Sequence, residues 1–81
     1  YFAKRYAAKE ACAKALGTGF KNSISWKDIE IMNDIIGKPY INLHNNALSR
    51  LKQISNKKCN IFLSLSDEKN YSIASVSIFE L

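Results

Sequence analysis

Tyr6-Ala7-Ala8-Lys9-Glu10-Ala11-Cys12-Ala13-Lys14 is the stretch on which the reading of this chain turns. Alanine at 7, 8, 11, 13 and 15 gives high helix propensity and leaves neighbouring polar atoms unshielded by bulky side chains. Tyr6, Glu10 and Lys14 are each four apart, so on a helix they stack along one stripe. Charges interrupt small residues on more than one face, so the helix lacks a plain wet side, which points to charges placed for use. On spacing alone two readings of Glu10 and Lys14 stand side by side. One is a metal-binding carboxylate beside a phosphate-binding ammonium; the other is an ordinary ion pair worth about 0.2–0.5 kcal/mol. Lys9 falls about 100° round the helix from Glu10 and reads as a solvated charge.

Working outward, the pattern predicts one helix from Phe2 to Leu16, ended by Gly17 at the usual C-terminal glycine position, with Gly17-Thr18-Gly19 as a turn. Ile24 and Trp26 alternate, then Ile29 and Ile31 alternate in the opposite phase, which predicts a strand with a bulge near Lys27-Asp28. Asn33 to Lys38 reads as a turn, and Pro39 opens an extended segment to Leu43. Asn45 or Asn46 is placed to cap a second helix with Ala47, Leu48, Leu51 and Ile54 on one side, closed by Asn56-Lys57-Lys58. Ile61, Leu63 and Leu65 alternate, Tyr71 to Phe79 is rich in β-branched and aromatic residues, and Asp67-Glu68-Lys69-Asn70 joins the two as a hairpin loop. The order helix, strand, strand, helix, hairpin indicates an α+β domain with a largely antiparallel sheet. Trp26 is expected in the core, and His44 at the surface or at a helix cap.

With 81 residues the chain forms one domain and buries only about 60–65% of its unfolded surface, so a partner or oligomerisation would help it. It starts at Tyr1 with helical pattern at once and no leading strand, which predicts that the N-terminal part of the natural protein lies outside the segment. No apolar run approaches membrane-spanning length. Cys12 and Cys59 are isolated, without metal spacing, and read as small apolar filler in a reducing compartment. His44 is the only histidine, which excludes a histidine metal cluster or a catalytic histidine pair. The net charge of +5 and pI near 9.4 imply an anionic partner, without separating nucleic acid from a phosphorylated cofactor or an acidic protein.

Tyr6 to Lys14 resembles the signature of the 4'-phosphopantetheinyl transferases: aromatic, small, any, Lys-Glu, small, any, any, Lys. More narrowly, Phe2 to Ala11 followed by Lys14-Ala15-Leu16-Gly17-Thr18-Gly19 is similar to the small holo-acyl-carrier-protein synthases. Ser25-Trp26-Lys27-Asp28-Ile29-Glu30, Asn33-Asp34 with Gly37-Lys38-Pro39, and Ser64-Leu65-Ser66 follow in that family's order, so the resemblance runs from Phe2 to about Glu80. It implies a single transferase domain over residues 1–81, N-terminally truncated. The implied reaction transfers 4'-phosphopantetheine from coenzyme A to a serine of apo-acyl carrier protein, Mg²⁺-dependent, releasing adenosine 3',5'-bisphosphate. It also implies a cytoplasmic homotrimer in fatty acid biosynthesis that uses neither nucleic acid nor membrane.

Residue by residue, the resemblance makes Glu10 catalytic and the metal ligand, and Lys14 catalytic at the pyrophosphate. The family's other metal ligand, an aspartate on an N-terminal strand, has no counterpart in this segment. Arg5 matches a position near the phosphates of coenzyme A bound by a neighbouring subunit. Gly37-Lys38-Pro39, with Asn33 before it, matches a loop against the nucleotide end of coenzyme A, and Gly17 is expected near the same ligand. Ser66 is expected to offer its hydroxyl. The residue after the second serine is commonly histidine in the family; here it is Asp67, a carboxylate that would repel phosphate. Lys4, Arg5 and Lys9 are candidates for docking an acidic carrier protein. Two rival readings stand beside this one. A small basic nucleic-acid-binding domain would need a contiguous basic face with interleaved aromatics, and here the lysines are scattered. A non-catalytic interaction domain draws on Asp67.

Overall fold

The computed structural model describes residues 2–17 and 24–81, the side chains of residues 2 and 3 excepted. The elements run α1 (Phe2–Ala15), a 3₁₀ turn (Trp26–Asp28), β1 (Ile29–Asn33), β2 (Pro39–Leu43), α2 (Asn45–Ile54), β3 (Cys59–Glu68) and β4 (Tyr71–Glu80). β1 pairs antiparallel with β2, and β3 pairs antiparallel with β4. The expected α+β order is therefore the observed one.

Small residues decide where α1 lies. Ala8, Cys12, Ala13 and Leu16 are wholly buried, and the lack of bulk at the first three lets the helix settle on β4, with further contact to β1 and β3. Beneath it the hairpin turns Ile61, Leu63 and Leu65 inward opposite Ile78, Val76 and Ala74. β1 and β2 do the same with Ile29 against Leu43 and Ile31 against Ile41. Such apolar cross-strand pairs are the stabilising units of a sheet.

Three local expectations are corrected. The phase slip after Trp26 is a 3₁₀ turn, not a bulged strand: Asp28 N–H donates to Ser25 O at 3.0 Å, and Ser25 N–H to Asp28 Oδ2 at 3.1 Å. This buries Asp28 and resets the alternation so that Ile29 and Ile31 point inward. The cap of α2 is His44, whose carbonyl accepts from Ala47 N–H and Leu48 N–H. Asn45 instead opens the helix with φ of +49°, a backbone that asparagine tolerates better than most residues. Leu48 and Ile54 remain 37% and 47% exposed, and α2 packs through Ala47 and Leu51. Finally, the hairpin connection is only Lys69-Asn70, because Asp67 and Glu68 remain in the ladder opposite Ser72 and Tyr71.

The C-terminus of α1 is closed as expected at Gly17, whose N–H donates to Lys14 O at 2.9 Å with φ of +83°. Arg50 of α2 donates from Nε to Leu16 O at 2.9 Å, satisfying an end carbonyl with a cation. Thr18 and Gly19, the rest of the expected turn, lie outside the described residues.

Candidate active site

The first two turns of α1 carry three cations, and each has a protein partner. Lys4 Nζ lies 2.7 Å from Asp67 Oδ2, and Arg5 Nη1 donates to Ile31 O at 2.5 Å. Lys9 Nζ donates to Trp26 O at 3.1 Å and sits 4.9 Å from the centre of the Trp26 ring. Lys9 is thus fixed rather than solvated. Burial, with Arg5 next, holds its pKa below the ordinary lysine value against the opposing pull of Glu30. Trp26 is half-buried rather than core. It meets Tyr6 with ring centroids 4.9 Å apart, and both rings line a 470 Å³ cavity with Lys9, Glu30 and His44. His44, at the surface as expected, places Nε2 2.9 Å from Glu30 Oε1.

A second cavity, 280 Å³, gathers four of the residues singled out in the sequence: Arg5, Asn33, Gly37 and Pro39. Lys4 completes its cationic side, and Ile31 and Leu65 its apolar wall. The β1–β2 turn is built to hold this shape. Asp34 Oδ1 accepts from Ile36 N–H at 3.0 Å and Lys38 N–H at 2.8 Å, and Asn33 Nδ2 donates to Gly37 O at 3.0 Å. Gly37 has φ of +88°, in the left-handed region that glycine enters without steric cost. Two cations against an apolar wall, with no acid among the described lining residues, suit an anionic group.

The structure leaves other expected residues elsewhere. Lys38 lines a third cavity with Asp34, Tyr40 and Phe62, its Nζ 5.8 Å from the Phe62 ring centre. Ser66 is exposed on β3, opposite Ile73. Glu10, half-buried, and Lys14, exposed, line none of these three cavities, nor does Gly17. The helical stripe of Glu10 and Lys14 is as expected, and neither side chain has a hydrogen bond or ion pair among the described residues. No group of three or more His, Cys, Asp or Glu side chains that could hold a metal occurs among the described residues. Cys12 is buried, and burial pushes its thiol up to about 11; Cys59 is half-buried rather than core.

Sequence reasoning missed what happens to Asp67. Ser72 Oγ donates to its Oδ1 at 2.9 Å while Lys4 holds Oδ2. Lys4 first, and Ser72 second, keep its carboxyl below the usual aspartate range. The anion expected to repel phosphate is paired with a cavity-lining cation. The partners lie at opposite ends of the chain, and no local period announces such a pair.

The fold is an α+β domain with a cationic cavity at the start of one helix and a Glu-Lys stripe further along it. Residues 1–76 match the family model described as the 4'-phosphopantetheinyl transferase superfamily, and the chain belongs to that superfamily. It is 49% identical over 80 residues to the holo-[acyl-carrier-protein] synthase of Vibrio vulnificus, covering 99% of this chain and 61% of that protein. Identity to the same enzyme of Pelagibacter ubique is 44%, covering 94% of this chain and 60% of that protein. The crystal structure of the holo-[acyl-carrier-protein] synthase of Neisseria meningitidis superposes with a TM-score of 0.80 at 40% identity, over 99% of this chain and 62% of that one. The Helicobacter pylori holo-[acyl-carrier-protein] synthase in complex with coenzyme A gives 0.76 at 30% identity, over 95% of this chain and 63% of that one. The chain thus spans about three fifths of the length of its relatives. No described helix is long and apolar enough to cross a membrane.

Proposed function

We propose that the protein transfers 4'-phosphopantetheine from coenzyme A to a serine hydroxyl of an apo-acyl carrier protein, releasing adenosine 3',5'-bisphosphate in an Mg²⁺-dependent reaction. The observation that carries this reading is the convergence of Arg5, Asn33, Gly37 and Pro39 on one cationic cavity. A relative of the same fold, 30% identical, was crystallised with coenzyme A. In this reading residues 1–81 belong to a single transferase domain of a cytoplasmic homotrimer in fatty acid biosynthesis.

The assignment of roles follows from chemistry. A pyrophosphate under attack already carries negative charge, so cations must meet it. Arg5 and Lys4 hold an anionic group of coenzyme A in the small cavity, between the Asn33–Gly37 turn and the Pro39 wall. Lys38, at the end of the β1–β2 turn, and Ser66 of β3 would add contacts from outside that cavity. Lys14, on a bare stretch of helix that Gly17 terminates, offers an ammonium to the pyrophosphate.

The residues present fit Mg²⁺ on chemical grounds. Glu10 is a half-buried carboxylate with no protein partner among the described residues. The ion accepts one or two carboxylates because it keeps waters and takes phosphate oxygens as further ligands. When bound it neutralises the charge that builds up on the leaving phosphate. Glu10 would be the residue that holds it.

The test is direct. The full-length protein, incubated with coenzyme A, Mg²⁺ and an apo carrier protein, should add the mass of one phosphopantetheine to the carrier. An unchanged carrier mass with the folded protein would remove the proposal.

A further inference from the structure

Resting on the coenzyme A reading, we propose that Asp67 is a positioning residue: it holds the Lys4 ammonium in the wall of the Arg5–Asn33–Gly37–Pro39 cavity, so that two cations rather than one meet the ligand's phosphate. Both oxygens of Asp67 are engaged, Oδ2 by Lys4 at 2.7 Å and Oδ1 by Ser72 at 2.9 Å. Ser72 faces Asp67 across the β3–β4 ladder, so the carboxylate is oriented by a hydrogen bond from the paired strand. Asp67 is absent from the cavity lining and reaches the cavity only through Lys4.

The physical reason is entropic and electrostatic together. A free lysine side chain carries about 2 kcal/mol of rotamer entropy, and whatever is frozen before the ligand arrives is not lost on binding. Arg5 is itself anchored, by Nη1 on Ile31 O. The two cations adjoin in sequence on α1, beside the apolar wall of Ile31 and Leu65. An apolar wall lowers the local dielectric and strengthens each charge–phosphate contact.

A carboxylate that merely neighboured the site would have the opposite effect, since its removal would strengthen the attraction for an anion. The sign of the Asp67→Asn change therefore decides. In the full-length protein, coenzyme A binding is titrated calorimetrically with Mg²⁺ present, and KM and kcat are measured for coenzyme A and for apo carrier protein. The variants are Asp67→Asn, Asp67→Glu, Lys4→Met and the Asp67→Asn/Lys4→Met double. Asp67→Asn and Lys4→Met should each weaken coenzyme A binding about 3–5-fold, the upper scale of one solvent-exposed charge pair. KM for coenzyme A should rise with kcat held. The double variant should be no weaker than Lys4→Met alone, and Asp67→Glu should bind within about 2-fold of the parent.

Unchanged or tighter binding in Asp67→Asn overturns the proposal. So does a rise in KM for the carrier protein alone in Lys4→Met, which would make Lys4 a carrier-docking residue. If the folded parent fails to bind coenzyme A, the reading beneath the proposal falls, and the proposal falls with it. A parent that binds while the variants match it removes the positioning role only.

Discussion

The first two turns of α1 and its last two make an instructive contrast. In the first, Lys4, Arg5 and Lys9 each have a protein partner: a carboxylate, a backbone carbonyl, and a carbonyl with an aromatic ring. In the second, Glu10 and Lys14 have none among the described residues. Partnered charges shape cavity walls before any ligand arrives. Unpartnered ones contribute little to the fold and are available to groups that come from outside the chain. In the proposed reading, binding geometry and reaction chemistry are divided along one helix.

The sharpest way to break that contrast is Glu10→Gln in the full-length protein. With no side-chain hydrogen bond or ion pair to lose among the described residues, and an isosteric replacement, the variant should keep its melting temperature within a few degrees, since changes of this kind stay within about ±0.5 kcal/mol. Transfer to the carrier protein should nonetheless fall on the order of 100-fold or more, because metal-mediated charge stabilisation is worth several kcal/mol. Calorimetry and turnover measured on the same sample check both halves. Full activity, or a collapse in stability, would show that Glu10 belongs to the partnered set after all.

How much of this was legible in the sequence follows from range. Helix α1, the β2 segment opened by Pro39 and the inward alternation of Ile61, Leu63 and Leu65 are local periodic patterns, and each is found where it was read. The 3₁₀ turn was not legible, because Ile24, Trp26, Ile29 and Ile31 look like alternation whichever way Asp28 turns; only its bond to Ser25 N–H settles it. The cap of α2 reads as Asn45 or Asn46 because asparagine suits both a cap and a left-handed backbone; Asn45 takes the second role, and His44, which reads as a surface or capping residue, is the cap. At the site, Arg5, Asn33, Gly37 and Pro39 were all singled out, yet nothing in their spacing puts α1 beside the β1–β2 turn. Lys4–Asp67 and the Lys9–Trp26 contact are long-range pairs whose members are read one at a time in the sequence: Lys4 as a docking cation, Asp67 as a phosphate-repelling carboxylate, Lys9 as a solvated charge and Trp26 as core.

A smaller effect is expected where the bare stretch ends. Gly17 is left-handed, and a Cβ there would lie 3.2 Å from Arg50 Nη2. The guanidinium cannot swing away freely without loosening its Nε bond to Leu16 O. Gly17→Ala should therefore cost about 1–2 kcal/mol from the backbone alone, read as a lower denaturation midpoint with the slope unchanged. A neutral or stabilising result would mean that the helix end readily adopts another conformation, and the position of Lys14 with it.

The smallest effect probes the partnered end through acid. Asp67 has a depressed pKa in the folded chain, chiefly through Lys4, so the folded state holds fewer protons than the unfolded one as pH approaches the depressed value. Stability from this group is then fully present above the ordinary aspartate value, about 3.9, and is lost as pH falls through the folded one. The stability difference between the parent and Asp67→Asn, followed by thermal melts from neutral pH down to pH 2, should shrink on acidification and disappear below the folded pKa. Both partners are well exposed, at 40% and 55% of their side-chain areas, and solvent screening keeps the difference small. A difference that grew as pH fell would mean that Lys4 is not the group facing this carboxylate, and the first turns of α1 would then have an unpartnered cation like the last.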